Sequence, residues 1–319
     1  MIQNDKKTRN TRNKWNTRNF FAELPLEEAV REEIRNIQEL LRRQAYITDA
    51  AVATSLYLAM ALGKPLLVEG PAGVGKTEIA KSLADALKTR LVRLQCYEGL
   101  DATTAIYEWN YPKQLLHIKL QELAAASAAE KESEIFSEPF LLKRPLLEAI
   151  TDQTSSPVLL IDEVDRSDEE FEAFLLETLS EFQVTIPEIG PIKATHRPYV
   201  VLTSNRSREL SDALRRRCLY LWIDYPSFEK ELEIVRAKVP AIGEALSSGL
   251  THLIQAVRKL NLAKVPGVAE TLDWAAALVV LDTTELDQEV IVETAGCFIK
   301  DEADLRKFET ELGAGRLGI

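Results

Sequence analysis

The chain has 319 residues, room for about two domains, and its 46% hydrophobic and 28% charged content is that of a folded globular protein, not a disordered or fibrous one. Its net charge is −11, and the first twenty residues carry Lys6, Lys7, Arg9, Arg12, Lys14 and Arg18 against Asp5 alone, which leaves the remainder near −16. A body so acidic repels a phosphate backbone and argues against duplex nucleic acid as the main partner.

Residues 1–22 repeat the triplet Thr-Arg-Asn at positions 8, 11 and 17 and hold almost no apolar residue before Trp15. The segment is expected to be a disordered basic tail, either simply solvated or touching a nucleic-acid or membrane surface. It lacks the apolar centre of a signal peptide, and no run of eighteen apolar residues follows. No membrane span and a cytoplasmic location are expected. Cys96, Cys218 and Cys297 stand far apart, which fits a reducing compartment and gives no metal-ligand spacing. His117, His196 and His252 are scattered and suggest no metal triad.

Thr48 or Asp49 can cap a helix that puts Val52, Leu56, Ala59 and Met60 on one face and ends at Gly63. Five short apolar runs then alternate with helical patterns: 65–69, 91–95, 157–162, 199–204 and 219–223. Runs without polar alternation suit parallel strands covered on both faces, and ligands in such sheets sit beyond the carboxyl ends of the strands. Between the third and fourth runs, Ser167 to Glu170 reads as a capping box opening a helix. The Pro- and Gly-containing stretch 183–198 reads as a hairpin or extended loop. Beyond Pro226 the pattern is helical to the end, with helices expected near 227–238, 242–260, 268–282, 286–299 and 301–312. The division expected is a tail (1–22), an α/β nucleotide-binding domain (23–226) and a helical domain (227–319).

The first strand runs into Gly70, Pro71, Ala72, Gly73, Val74, Gly75, Lys76 and Thr77, the phosphate-loop pattern GxxxxGK[ST]. Its glycines let backbone N–H groups turn inward on an anion, and Lys76 adds a point charge. The Thr77 hydroxyl suits the shell of Mg²⁺, and the following helix aims its positive end at the same phosphates. The third strand closes on Asp162 and Glu163, the Walker B pattern. Asp162 would hold Mg²⁺ through water, and Glu163 would take a proton from the water attacking the γ-phosphate. Asn205, just past the fourth strand, either orients that water or makes an ordinary Asn turn. Asp165 reads as the start of a turn into the next helix. Three arginines, Arg215, Arg216 and Arg217, precede the last strand. They are expected on its edge, either completing a neighbouring subunit's site or pairing within their own subunit. No guanine-specifying NKxD motif is present.

The stretches KPLLVEGPAGVGKTEIAKSLA, FLLKRPLLEAI, VLLIDEVDRSDEEFEAFLLE, ALRRRCLYLWIDYP and VPGVAETLDWAAAL together resemble AAA+ ATPases of the MoxR family, nearest to the carbon monoxide dehydrogenase maturation (CoxD-like) type, over roughly residues 40–280. The resemblance implies an αβα sandwich with a five-stranded parallel sheet and a C-terminal α-helical lid. It also implies ATP and Mg²⁺ at their junction, from the phosphate loop to Glu78, with the adenine near Tyr46 and Ile47. It further implies a homo-oligomeric ring, usually a hexamer, with Arg217 as first choice and Arg216 as second for the arginine that completes the next subunit's site.

Two segments are similar to family insertions that meet a client, 97–116 and the hairpin 183–198; Tyr107, Trp109 and Tyr111 either grip a substrate or pack the first of them onto the body. One departure stands out: relatives often begin a lid helix with an arginine that reads the γ-phosphate, but Glu270 and Thr271 stand there, leaving that role to Lys264 or unfilled. The function implied is an ATP-hydrolysing chaperone that remodels a client protein or inserts metal into a partner enzyme, alongside a von Willebrand A domain protein. A slow nucleotide-dependent binding switch and a DNA-handling AAA+ motor subunit are the alternatives.

Overall fold

The structure is a computed structural model and describes residues 26–120 and 134–317. The basic tail lies outside the described residues. In chain order the helices are α1 (Leu26–Arg43), α2 (Ala50–Leu62), α3 (Lys76–Leu87), α4 (Ala102–Ile106), α5 (Tyr111–Leu120), α6 (Pro145–Ile150), α7 (Glu169–Glu181), α8 (Asp212–Arg217), α9 (Phe228–Lys238), α10 (Glu244–Val257), α11 (Val268–Val280), α12 (Gln288–Thr294) and α13 (Glu302–Gly313). The strands are β1 (Leu66–Glu69), β2 (Leu91–Gln95), β3 (Tyr107–Trp109), β4 (Leu141–Lys143), β5 (Val158–Asp162), β6 (Gln183–Ile186), β7 (Gly190–Lys193), β8 (Tyr199–Ser204) and β9 (Leu219–Trp222).

Five of these strands form one parallel sheet in the order β2-β5-β8-β1-β9. Successive residues of a strand point to opposite faces. One face therefore buries Leu67, Leu159, Ile161, Val200 and Leu202 against α6 and α7, and the other buries Leu66, Val68, Val158, Leu160 and Val201 against α1, α2 and α3. This is the αβα arrangement that uninterrupted apolar runs demand. Register aligns the strand ends: Glu69 lies beside Ser204 and Trp222, and Gln95 beside Asp162. Everything that follows these residues in the chain emerges on one edge of the sheet.

Three local expectations are corrected. Asp168, not Ser167, caps α7: its Oδ1 accepts from Phe171 N at 2.8 Å, while the Ser167 hydroxyl turns back to Val164 O. The three arginines lie in the last turn of α8, not on the edge of the last strand. Helix α1 was absent from the sequence reading, although Ile34, Ile37 and Leu41 recur at helical spacing and pack on the second face. The insertion after β2 folds as α4, β3 and α5, with β3 pairing antiparallel to β4. Trp109 is a core residue there, edge-on to Tyr107 and Phe136, whereas Tyr111 is 60% exposed. The segment 183–193 is a two-stranded hairpin, β6 with β7.

Helices α9 to α13 enclose a separate core around Trp274, Phe298 and Phe308, with Trp274 Nε1 donating to Thr294 Oγ1 at 2.8 Å. At the head of this lid, Glu231 is fully buried and accepts from Arg258 through both oxygens at 2.6 Å, from Gln255 at 2.7 Å and from Thr271 at 2.8 Å. The guanidinium also lies over the ring of Tyr225, in the connection between sheet and lid. The lid meets the sheet domain in two ways. Helix α9 forms ion pairs with the base, Lys230 to Asp49, Glu233 to Arg42 and Lys238 to Glu78. The N-terminus of α11 rests directly on the phosphate loop, where Ala269 N donates to Gly73 O at 3.1 Å. A Cβ on Gly267 would fall 2.8 Å from Gly73 Cα and 2.9 Å from Ala72 O, so only glycine permits this approach. Among the described residues no helix is long and apolar enough to cross a membrane.

Removing one partner of a buried ion pair leaves the other charge stranded, so Arg258→Ala should cost about 3–5 kcal/mol in chemical denaturation. Lys230→Ala, at a surface pair, should cost under about 1 kcal/mol; equal losses would contradict this assignment. In Gly267→Ala, hydrogen exchange of the Ala269 amide should quicken about tenfold, the loss of about 1.4 kcal/mol of docking, with the lid core unchanged. An unaltered rate would show that the contact does not hold the lid.

Candidate functional site

The loop between β1 and α3 is shaped by close backbone packing. A Cβ at Gly70 would fall 2.0 Å from Ile223 O, just past the end of the neighbouring β9. Lys76, 6% exposed, reaches back across the loop, and its ammonium donates to Gly70 O at 2.8 Å and Pro71 O at 2.6 Å. Burial lowers its pKa, and the carboxylates of Asp165, Asp162 and Glu163 oppose that lowering. Thr77, next in the helix, donates to Asp162 Oδ1 at 3.0 Å.

Asp162 ends the inner strand β5 and is 2% exposed. Besides Thr77, its Oδ1 accepts from Thr203 Oγ1 at 2.5 Å, and its Oδ2 accepts from Arg93 Nη2 at 2.6 Å. Thr203 also accepts from Glu163 N at 2.9 Å, so one hydroxyl on β8 ties both acidic residues to the sheet. Glu163 has left the strand: its backbone is left-handed, φ 54 and ψ 50, a conformation uncommon for a side chain with a Cβ. This turns its carboxylate out of the sheet edge, where Oε2 accepts from Arg166 Nη1 at 3.2 Å.

Tyr46, Ile47, Ala72 through Glu78, Asp162, Glu163 and Asn205 line one cavity of about 480 Å³ between the sheet domain and the lid. That volume suits a nucleotide-sized ligand. Tyr46 lies beside Gly75, and burial, with Glu78 and Asp49 nearby, drives its phenol pKa upward. Glu78 is held by Lys238 and Lys81; burial pushes its carboxyl up, but the two lysines outweigh burial and bring it below the usual range. Gly70 and Pro71 do not line the cavity, and serve it through their carbonyls to Lys76. Burial pushes the Cys96 thiol, behind the acidic strand end, up to about 12.

Arg216 and Arg217 are not brought to this cavity. Arg216 is exposed, and Arg217 donates through Nη1 to Leu176 O and Ser180 Oγ on α7. Arg215 lies 3.8 Å from the buried Glu69 carboxylate and over the ring of Tyr220. Lys264 is also elsewhere, near the carbonyl of Lys300. The lid reaches the cavity with Ala269 and Leu272 of α11 and with Lys230 and Lys238 of α9. These, and Thr203, escaped the sequence reading. For Thr203 a signal exists, a hydroxyl residue within a buried apolar strand one step from its end; for the lid residues there is none.

The residues fit a magnesium nucleotide. Thr77 and Asp162 offer hard oxygen atoms side by side, as Mg²⁺ prefers, and the loop backbone makes an anion cradle that a Cβ at Gly70 would disrupt.

Residues 65–218 match the family model described as AAA domain (dynein-related subfamily). No curated protein sequence matches the chain. Among solved structures, the RuvB Holliday junction branch migration motor of Thermotoga maritima is similar at 18% identity, with 88% of this chain and 77% of that one covered and a TM-score of 0.45. A variant of the same motor gives 18% identity, 81% and 69% coverage and a TM-score of 0.45. With a five-stranded parallel sheet flanked by helices, a phosphate loop and a paired acidic strand end, the chain has the AAA+ P-loop NTPase fold.

Proposed function

We propose that the chain binds ATP with Mg²⁺ in this cavity and hydrolyses it, as a MoxR-type chaperone assembled into a homo-oligomeric ring, a hexamer in the usual form. The observation that carries the reading is the convergence of Lys76, Thr77, Asp162, Glu163 and Asn205, from three separate stretches of sequence, on one cavity. Bound Mg²⁺, held by Thr77 and Asp162, would neutralise charge on the phosphates.

The chain's own groups supply the rest. The loop amides and Lys76 hold the triphosphate, and Lys76 exchanges its two carbonyl partners for phosphate oxygens. Thr77 and Asp162 hold the metal. Glu163 accepts the proton of the attacking water, and Asn205 orients that water. Arg217, exposed and outside its own cavity, is suited to reach the site of the next subunit and stabilise charge on the transferred phosphoryl. Arg216 beside it is the second choice.

The work done with this energy is the remodelling of a client protein, with metal insertion into an enzyme as one form of it and a von Willebrand A domain protein as companion. The hairpin β6–β7 and the α5 segment, with Tyr111, Leu115, Leu116 and Leu120 exposed, support client contact. A slow nucleotide-dependent switch is the second reading, favoured by the Glu163–Arg166 pair, which has to break before the carboxylate is free to face a water.

In steady-state assays, Lys76→Ala should abolish ATP binding, whereas Glu163→Gln should bind normally and lose turnover by about 100-fold or more. Arg217→Ala should lose about 10³-fold, and mixing it with Glu163→Gln subunits should restore part of the rate through sites that combine an intact Glu163 with a neighbour's intact Arg217. Full turnover in Arg217→Ala would contradict the shared site. Arg166→Ala that raises turnover sharply would favour the switch.

A further inference from the structure

Asp165 lies two residues beyond Glu163, is 2% exposed, and does not line the nucleotide cavity. Its Oδ2 accepts three hydrogen bonds from the far side of the site: from Asn205 N at 3.2 Å, Ser207 N at 2.8 Å and Ser207 Oγ at 2.7 Å. Its Oδ1 is buried and has no hydrogen-bond partner among the described residues. The turn it holds is an unusual one. Directly after β8 the chain reverses through Arg206 in the left-handed conformation, φ 58, with Arg206 N donating to Ser204 Oγ at 3.0 Å. In such a turn the N–H groups on either side of Arg206 have no strand to pair with, and a single carboxylate takes both.

A charged acceptor makes hydrogen bonds roughly twice as strong as a neutral one. Held this way, the turn fixes the direction in which the Asn205 side chain leaves the backbone relative to Asp162 and Glu163, which belong to the same chain segment as Asp165. The next contacts extend the hold. Arg208 donates to Ser167 O at 2.8 Å and pairs with the buried Glu172, whose other oxygen accepts from Ser211 N at 2.8 Å at the cap of α8. The first fixed point, and the one nearest the chemistry, is Asp165; among the carboxylates opposing the lowered pKa of Lys76 it is foremost.

We infer that Asp165 is a positioning residue for ATP hydrolysis, setting the place of Asn205 over the attacking water while touching neither nucleotide nor metal. The inference rests on the reading of Asn205 and Glu163 given above. A residue of this kind acts on the chemical step and not on ground-state binding.

The test is a double-mutant cycle on the full-length protein with Mg²⁺·ATP, read as kcat, KM and the Kd of a fluorescent ATP analogue. Asp165→Asn should lower kcat by about 10- to 100-fold, the usual cost of losing an orienting partner, with KM and Kd within about twofold. Asp165→Asn combined with Asn205→Ala should be no slower than Asn205→Ala alone, because both remove one function. Losses that multiply, a Kd that rises in step with the fall in kcat, or an undiminished kcat would each overturn the inference. If Asp165→Asn yields no folded protein, the same cycle is run with Ser207→Ala, which removes one donor and should lose about threefold in kcat, again without addition to Asn205→Ala. Glu163→Gln measured alongside separates the two failures. Normal turnover in Asp165→Asn beside an inactive Glu163→Gln overturns the Asp165 assignment alone, whereas turnover surviving in Glu163→Gln and Asn205→Ala overturns the hydrolytic reading and this inference with it.

Discussion

A carboxylate at the end of an inner strand, β5, has to be buried, and most of the site's geometry follows from how that burial is made tolerable. Asp162 is compensated by Thr77, Thr203 and Arg93, and these partners come from α3, β8 and β2. Leaving such a group unpaired would cost several kcal/mol. Each bond that prevents this also brings another functional segment to the same edge. Thr77 carries the phosphate loop with it, and Thr203 carries Asn205 two residues on. The backbone of Glu163, held by the same Thr203 hydroxyl, turns left-handed and presents the second acid outward.

The lid is coupled to the phosphate loop by backbone packing. Gly267 touches Gly73, and Ala269 donates to it, so α11 presses on the loop that would hold phosphate. Glu270, in the first turn of α11, is spent locally: its Oε2 accepts from Gly267 N at 2.9 Å and shapes the helix start. Behind it the Glu231–Arg258–Thr271 network fixes α9, α10 and α11 as one unit. A shift of the phosphate loop therefore has a stiff body to push against, whereas the α9 ion pairs are exposed enough to break and reform cheaply.

The sequence is most legible where a segment's role is local. The strands β1, β5 and β8 are apolar runs whose ends coincide with functional residues, and the phosphate loop is a continuous motif in which contacts a Cβ would forbid explain Gly70 and Gly73. Legibility falls where a role depends on a distant partner. Asp165 looks like the start of a turn until β8 brings Asn205 and Ser207 to its oxygen. Ser167 looks like a cap because a capping box is defined by spacing, yet Asp168 is the better acceptor one residue later. Helix α1 was legible and overlooked, since its apolar stripe is diluted by charged residues on the other face. The lid's contribution to the cavity was not legible, because Leu272 and Lys230 reach it only through packing of helices that no local pattern orients.

The account stands on a triphosphate with its metal lodging between the phosphate loop and the end of β5. Equilibrium dialysis of the purified protein against labelled ATP, with and without magnesium, tests this most directly. The account predicts saturable retention of one nucleotide per chain that depends on magnesium; no retention above that of an unrelated acidic protein would contradict it.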